Sequence, residues 1–195
     1  MAAFLRAYMS DLARTYRKRP NLAFAAAAPF VHVGLRAMLC YRLASVCQRS
    51  LVARPLASLL KRIGRLVSGA EIHPAARIGG GIHLPHPDGI VIGPTVTIAG
   101  ECTIFQQVTL GPRTARGDPE DGPTLCEHVF VYPGAKIFGK VRIGSRAQIG
   151  PNCVIFKDVP EGSTVMPPEP IVLEGLSFTL RLPPSERRTS EETVA

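Results

Sequence analysis

The chain of 195 residues contains no tryptophan, and aromatic residues make up only 6% of it. Its core must therefore be aliphatic, and a hydrophobic content of 46% is ample for one or two domains. Acids are nearly missing from residues 1–68, where twelve Lys or Arg face Asp11 alone, a net of +11. The remainder carries −3, and the whole chain +8. Such a basic segment meets an anionic membrane surface or nucleic acid, or is a solvated helical face, which is the commoner case. No long apolar run is present: Leu22–Leu35 spans fourteen residues, contains Pro29 and is too short to cross a bilayer. Met1–Pro20 lacks the apolar core and cleavage site of a secretory signal. A cytoplasmic protein is expected, with peripheral membrane contact through the basic helices left open and no nucleic-acid partner. The five cysteines (Cys40, Cys47, Cys102, Cys126, Cys153) are scattered and include no C-x-x-C. That pattern argues for a reducing compartment and against disulfides or zinc. There is no Walker loop and no G-x-S-x-G.

What the chain does have is a six-residue period. From Ile72 the hexads IHPAAR, IGGGIH and LPHPDG run to Gly89; after a two-residue slip, IGPTVT, IAGECT, IFQQVT and LGPRTA run from Ile92 to Ala115. The frame resumes at Leu125 with LCEHVF, VYPGAK, IFGKVR, IGSRAQ, IGPNCV and IFKDVP, ending at Pro160. All thirteen hexads begin with Ile, Leu or Val. A hexapeptide repeat is the signature of a parallel β-helix, each hexad supplying one short strand and its turn. Three hexads make one coil, and the first-place residues of successive coils stack into a core that no coil buries alone. Residues 69–173 are assigned to this domain. Its open ends need caps, because they expose unpaired strand edges.

Residues 1–68 read as a small helical domain. A first helix is expected from about Ala3 to Lys18, stopping before Pro20. A second begins near Pro29 as a first-turn residue and reaches about Arg49, with Val33, Met38, Leu43 and Val46 on one face and Arg36 and Arg42 elsewhere. A third, about Pro55–Val67, carries Leu56, Leu59, Leu60, Ile63 and Leu66 on an apolar stripe opposite Lys61, Arg62 and Arg65. That stripe can pack on the β-helix, meet another subunit or lie on a membrane. Residues 174–195 are polar and are expected to be disordered. Two breaks in the frame stand out: the slip at Gly89–Val91, and the polar segment 112–124, which must project as a loop.

His86 lies just before the first slip, and Glu71 stands fifteen residues upstream. In a coil of about eighteen residues that separation carries the chain nearly once round, so the two can be neighbours. A carboxylate beside an imidazole fixes its tautomer and stabilises the imidazolium, as a general base for a hydroxyl nucleophile requires. Taken alone, such a histidine is more often a polar surface residue than a catalyst. The H-x-x-H spacing of His83 and His86 offers no ready chelate on an extended segment, so no metal is expected.

These residues also carry a family resemblance. GAEIHPAARIGGGIHLPHPDGIVIGPTVTIAGECTIFQQVTLG (residues 69–111) resembles the core of serine acetyltransferases, a hexapeptide-repeat acyltransferase family. VYPGAKIFGKVRIGSRAQIGPNCVIFKDVP (131–160) is similar to the coil that follows there, and GLRAMLCYRLAS (34–45) to the helices that precede it. The resemblance implies a mainly β, left-handed parallel β-helix behind a helical domain, and a homotrimer with active sites between subunits. It further implies acetyl-CoA as co-substrate, His86 as general base, Glu71 as its partner, and cofactor contacts from backbone around Gly111, Ala135 and Gly150. The activity implied is O-acetyl transfer to L-serine, in cysteine biosynthesis.

The departures fall at the acceptor site. The family usually has Asp before the catalytic histidine, and here that place is Pro85. Where the family has an Arg-His pair that helps hold serine, this chain has Asp121 and Gly122. A charge reversal there penalises an amino-acid carboxylate, which turns the expectation toward a sugar hydroxyl of an exopolysaccharide precursor. A non-catalytic β-helix scaffold and a metal-dependent hydratase are the readings from other classes.

Overall fold

A computed structural model describes residues 2–17, 21–114, 118 and 121–170. Four helices come first: α1 (Ala2–Tyr16), α2 (Leu22–Val31), α3 (Val33–Gln48) and α4 (Arg54–Ser68). The chain then winds into coils. The first coil holds β1 (Glu71–Ile72), β2 (Arg77–Ile78) and a bridge at His83; the second holds β3 (Val91–Ile92), β4 (Thr97–Ile98) and β5 (Thr103–Ile104). The third holds β6 (Thr109–Gly111), β7 (Thr124–Leu125) and β8 (Phe130–Val131), and the fourth β9 (Lys136–Phe138), β10 (Arg142–Ile143) and β11 (Gln148–Ile149). β12 (Val154–Ile155), a bridge at Val159 and β13 (Thr164–Val165) complete the winding. Each coil visits three parallel sheets in turn: sheet A (β1-β3-β6-β9-β12), sheet B (β2-β4-β7-β10) and sheet C (β5-β8-β11-β13). The parallel β-helix expected from the hexads, left-handed as the resemblance implies, is the fold the chain adopts.

The register follows the hexads. First-place residues pair across coils, as in Ile92 with Leu110 and Leu110 with Ile137, and from Ile92 to Ile149 they are at most 1% exposed. Burying each contributes about 1.5–3 kcal/mol relative to exposure. The fourth place turns the corner. Glu101, Gln107, His128, Arg146 and Asn152 hold it with φ of 51–59°, and Gly81 and Gly134 with φ of 76° and 73°. The polar side chains at these corners therefore point outward from a left-handed backbone.

The helical domain caps the first coil through one buried node. Arg42 of α3 donates from Nε (2.6 Å) and Nη2 (2.9 Å) to the carboxylate of Asp11 in α1. The same guanidinium reaches the carbonyls of Ile78 (3.3 Å) and Gly79 (2.7 Å), and Asp11 accepts from Ile82 N–H at 2.9 Å. Backbone groups that an open coil end would leave unpaired are thus satisfied. Arg42, expected on an outer face, is buried for this purpose. Beside it, α3 approaches so closely that a Cβ at Gly34 would stand 2.0 Å from the carbonyl oxygen of Leu84.

Pro29 does not open a helix. α2 begins earlier because Asn21 caps it, accepting from Phe24 N–H at 2.8 Å, and Pro29 lies in its last turns. The chain then bends by 114° at His32, whose extended backbone (φ −106°, ψ 113°) separates α2 from α3. The faces of α3 differ too: Met38 is buried, while Val33, Leu43 and Val46 are exposed. Among the described residues no single helix is long and apolar enough to cross a membrane. The expected disordered tail, 174–195, and the end of the β-helix domain at 173 lie outside the described residues.

Candidate active site

The corner between sheets C and A carries the site. In the first coil it is the segment Pro85–Gly89, two residues longer than the corner of the next coil, so His86 stands out from it and is exposed. Glu71 opens the adjoining strand of sheet A. Gly89 N–H donates to Gly69 O at 3.0 Å and Glu71 N–H to Ile90 O at 2.8 Å, which lays the His86 segment alongside residues 69–71. The sequence separation of fifteen thus becomes one turn of chain.

The side chains of the pair do not bond to one another. Glu71 accepts from Lys61 Nζ at 2.9 Å and from Arg65 Nη1 at 3.0 Å, both on α4. The Lys61 ammonium holds the Glu71 carboxyl below the usual carboxylate range, against the effect of burial. His86 makes no hydrogen bond among the described residues. A carboxylate has about four lone-pair positions, so the two cations leave room for a third donor on Glu71.

Of the cofactor positions, Ala135 and Gly150 fall on the same edge as His86. Gly134 N–H donates to Gln106 O at 3.0 Å and Asn152 N–H to Pro133 O at 2.9 Å, stacking the corners of successive coils. Gly111 lies elsewhere, at the far end of β6, where a Cβ would meet nothing within 4 Å. One protomer therefore divides the expected cofactor contacts between two edges of sheet A.

Two features went unread in the sequence. Gln106 sits one coil beyond His86, between Ile104 N–H bonded to His83 O (3.0 Å) and Gln107 N–H bonded to Asp88 O (2.9 Å). Its side-chain oxygen is buried without a hydrogen-bond partner among the described residues, a costly state for an amide. Its place in the repeat matches other corner residues, so only the coil stacking singles it out. The second feature is a cavity of about 780 Å³ between α1 and sheet C, lined by Arg14, Arg17, His83, Pro85, Phe105 and Phe130 among others. Phe105 stacks on Tyr132 with centroids 5.6 Å apart. Arg14 pairs with Glu101 at 3.3 Å, and Thr15 Oγ1 lies 3.3 Å from His83 Nδ1. Burial, then the Arg14 guanidinium, pushes the His83 imidazole below its usual range, favouring the neutral ring.

Among the described residues, the return of the projecting loop at Asp121 and Gly122 carries no cation. The Asp121 carboxylate accepts from the backbone N–H groups of Arg113 (2.9 Å) and Thr114 (3.2 Å), and so ties the loop's two ends. Gly122 is buried against Thr95, where a Cβ would come within 2.4 Å of Oγ1. No side chain fits there.

No protein-family model matches the chain. A serine acetyltransferase of Synechococcus elongatus is 41% identical over 134 residues, covering 68% of this chain and 54% of the relative, so the chain spans about half that protein's length. One from Helicobacter pylori is 40% identical over 139 residues, covering 70% of this chain and 78% of the relative. Soybean serine acetyltransferase complexed with serine superposes with a TM-score of 0.77 at 31% identity, over 86% of this chain and 68% of that one. A serine acetyltransferase in complex with CoA does so with a TM-score of 0.73 at 30% identity, over 85% and 67%.

Proposed function

Since the chain belongs to the serine acetyltransferase family, we propose that it is an acetyl-CoA-dependent O-acetyltransferase in which His86 is the general base. His86 takes the proton of an acceptor hydroxyl as the oxygen attacks the thioester carbonyl. The carbon–sulfur bond breaks, the acetyl group passes to the acceptor, and the CoA thiolate takes the proton back from the imidazolium. No acyl-enzyme forms; holding both substrates in line supplies the rate. Glu71, kept ionised by Lys61, is the positioning residue that stabilises the imidazolium. The observation carrying this reading is the long corner that projects His86 from a segment bonded to the backbone of residues 69–71, on the edge that also holds Ala135 and Gly150.

The working unit is a homotrimer. Gly111 and His86 lie at opposite ends of sheet A in one protomer, and cyclic symmetry sets one subunit's edge against the other edge of its neighbour. The cofactor then lies between them.

The acceptor is a sugar hydroxyl rather than free L-serine, the ligand named for the soybean structure. Asp121 and Gly122 are committed to the loop and offer nothing to an amino-acid carboxylate, and Pro85 adds no charge beside His86. The cavity of about 780 Å³ reaches Pro85, the chain neighbour of His86, rather than His86 itself, and Phe105 and Phe130 in its wall suit the apolar face of a sugar ring.

The test is thiol release from acetyl-CoA with L-serine and with a panel of nucleotide sugars and glycans. Release with a sugar, reduced ~10²–10⁴-fold in His86→Ala, is the expected result. Brisk release with L-serine removes the sugar assignment but keeps the chemistry; release unaffected by His86→Ala removes the base.

A further inference from the structure

α4 is built inside out. The face it turns to α3 is made of small residues: Ala57, Gly64 and Ser68 are buried, and a Cβ at Gly64 would stand 3.0 Å from that of Cys40. Leu60 and Val67 are half-buried, while its other large apolar residues face away from the protein. Leu56, Leu59, Ile63 and Leu66 follow at spacings of three, four and three, one stripe of a helix, and Leu66 is 86% exposed. Val52, 91% exposed, lies in the turn just before α4. At its other end α4 is tied to a second apolar group. One guanidinium, that of Arg36, bonds both Pro29 O of α2 (2.9 Å) and Val67 O of α4 (3.2 Å), so the ends of the two helices lie within reach of one side chain. Phe30 and Val31 are 84% and 75% exposed. The stripe therefore runs along most of α4, a helix of fifteen residues or ~22 Å, and Arg36 ties its far end to the exposed end of α2. A patch of that extent on a water-soluble surface marks an interaction site.

Charge identifies what covers it. α4 carries Arg54, Lys61, Arg62 and Arg65 and no acid. Lys61 and Arg65 are held by Glu71, whereas Arg54 and Arg62 form no ion pair among the described residues. Arg54, Lys61 and Arg62 also line one cationic pocket of about 320 Å³ with His73, whose imidazole burial pushes below its usual range and so leaves uncharged. The whole of residues 1–68 has a net charge of +11, and its one acid, Asp11, is buried against Arg42. A second copy laid on this patch would oppose one +11 domain to another. An anionic surface is complementary to it.

We propose that α4 and the end of α2 form a peripheral membrane-docking surface for anionic phospholipid, the apolar stripe entering the acyl boundary and the arginines meeting lipid phosphates. The inference does not depend on the acceptor or on the acetyltransferase reading.

The experiment is co-sedimentation of the full chain with vesicles of phosphatidylcholine and phosphatidylglycerol in equal parts, and with phosphatidylcholine alone. The protein is expected to pellet with the anionic vesicles and to be released by salt. The double variant Leu59→Glu, Leu66→Glu should lower the bound fraction at least ~10-fold, and Arg54→Gln or Arg62→Gln about fivefold each. Both leucines are exposed, so the variants should keep the wild-type circular dichroism and thermal midpoint. Binding that is absent, or equal on neutral vesicles, overturns the proposal. So does a higher oligomer, seen by light scattering, that the double variant dissociates; that result assigns the patch to a second copy of the chain.

Discussion

His86 is an exposed corner residue that forms no hydrogen bond among the described residues, so the support proposed for it comes from Glu71, across the coil. Glu71→Gln is the informative substitution. Its ion pairs with Lys61 and Arg65 are partly exposed, so stability should fall by less than about 1 kcal/mol in urea melts. If Glu71 supports the imidazolium, the acid limb of the kcat/KM profile moves to lower pH and kcat/KM falls ~10-fold or more. A profile unchanged in shape would leave Glu71 as a tether for α4 only. His83 makes a separate prediction. Its folded-state pKa is lowered by burial, so the unfolded chain takes up the proton first as pH falls, and the contribution of the neutral ring is lost below the ordinary imidazole range of about 6.5. Because Thr15 of α1 contacts His83, amide exchange in α1 should quicken relative to α3 as pH drops from about 7.5 to about 5.5. A ratio of α1 to α3 exchange that stays constant over that range would show that the docking rests on Asp11 and Arg42 alone.

At the scale of elements, the joint between the helices and the first coil is ionic. Asp11→Ala leaves the Arg42 guanidinium buried with only carbonyl partners and frees the Ile82 N–H. Loss of one partner of a buried pair costs about 3–5 kcal/mol, to be read by chemical denaturation. Replacing both Asp11 and Arg42 with apolar residues should cost less than Asp11→Ala alone. Should the single variant cost under about 1 kcal/mol, the node is not what caps the coil. The break at His32 belongs to this scale as well. Composition makes Leu22–Leu35 one apolar stretch, but Asn21 starts a helix before Pro29, and the 114° bend turns α3 back against α4.

For the whole molecule, the separation of Gly111 from His86 has a direct consequence. On the proposed mechanism His86→Ala removes the base, and Gly111→Arg, at a position with open space around it, should obstruct the cofactor without disturbing the fold. Each homotrimer is expected to be inactive. Trimers formed by unfolding and refolding the two variants in equal amounts should regain about a quarter of wild-type activity, because random closure of a ring pairs an intact His86 with an intact Gly111 across one boundary in four. No recovery would place the complete site within one protomer.

The hexads alone determined the β-helix, its strand positions and its stacked Ile, Leu and Val core, because a six-residue period leaves the first place nowhere to go but inward. They also brought Glu71 and His86 to adjoining turns, since the period converts sequence separation into position around the coil. Tertiary structure decided where each side chain spends its hydrogen bonds. Glu71 binds Lys61 and Arg65, Asp121 closes its own loop, Arg42 is drawn inside by Asp11, and the Gln106 oxygen has no partner among the described residues. These outcomes depend on which helix lies against which coil, and residues 1–68 have no repeat to register them. The outward Leu and Ile stripe of α4 has the same origin. Helical periodicity shows that a stripe exists, but only the close approach of α3 at Gly64 settles that the small residues face in and the large ones out.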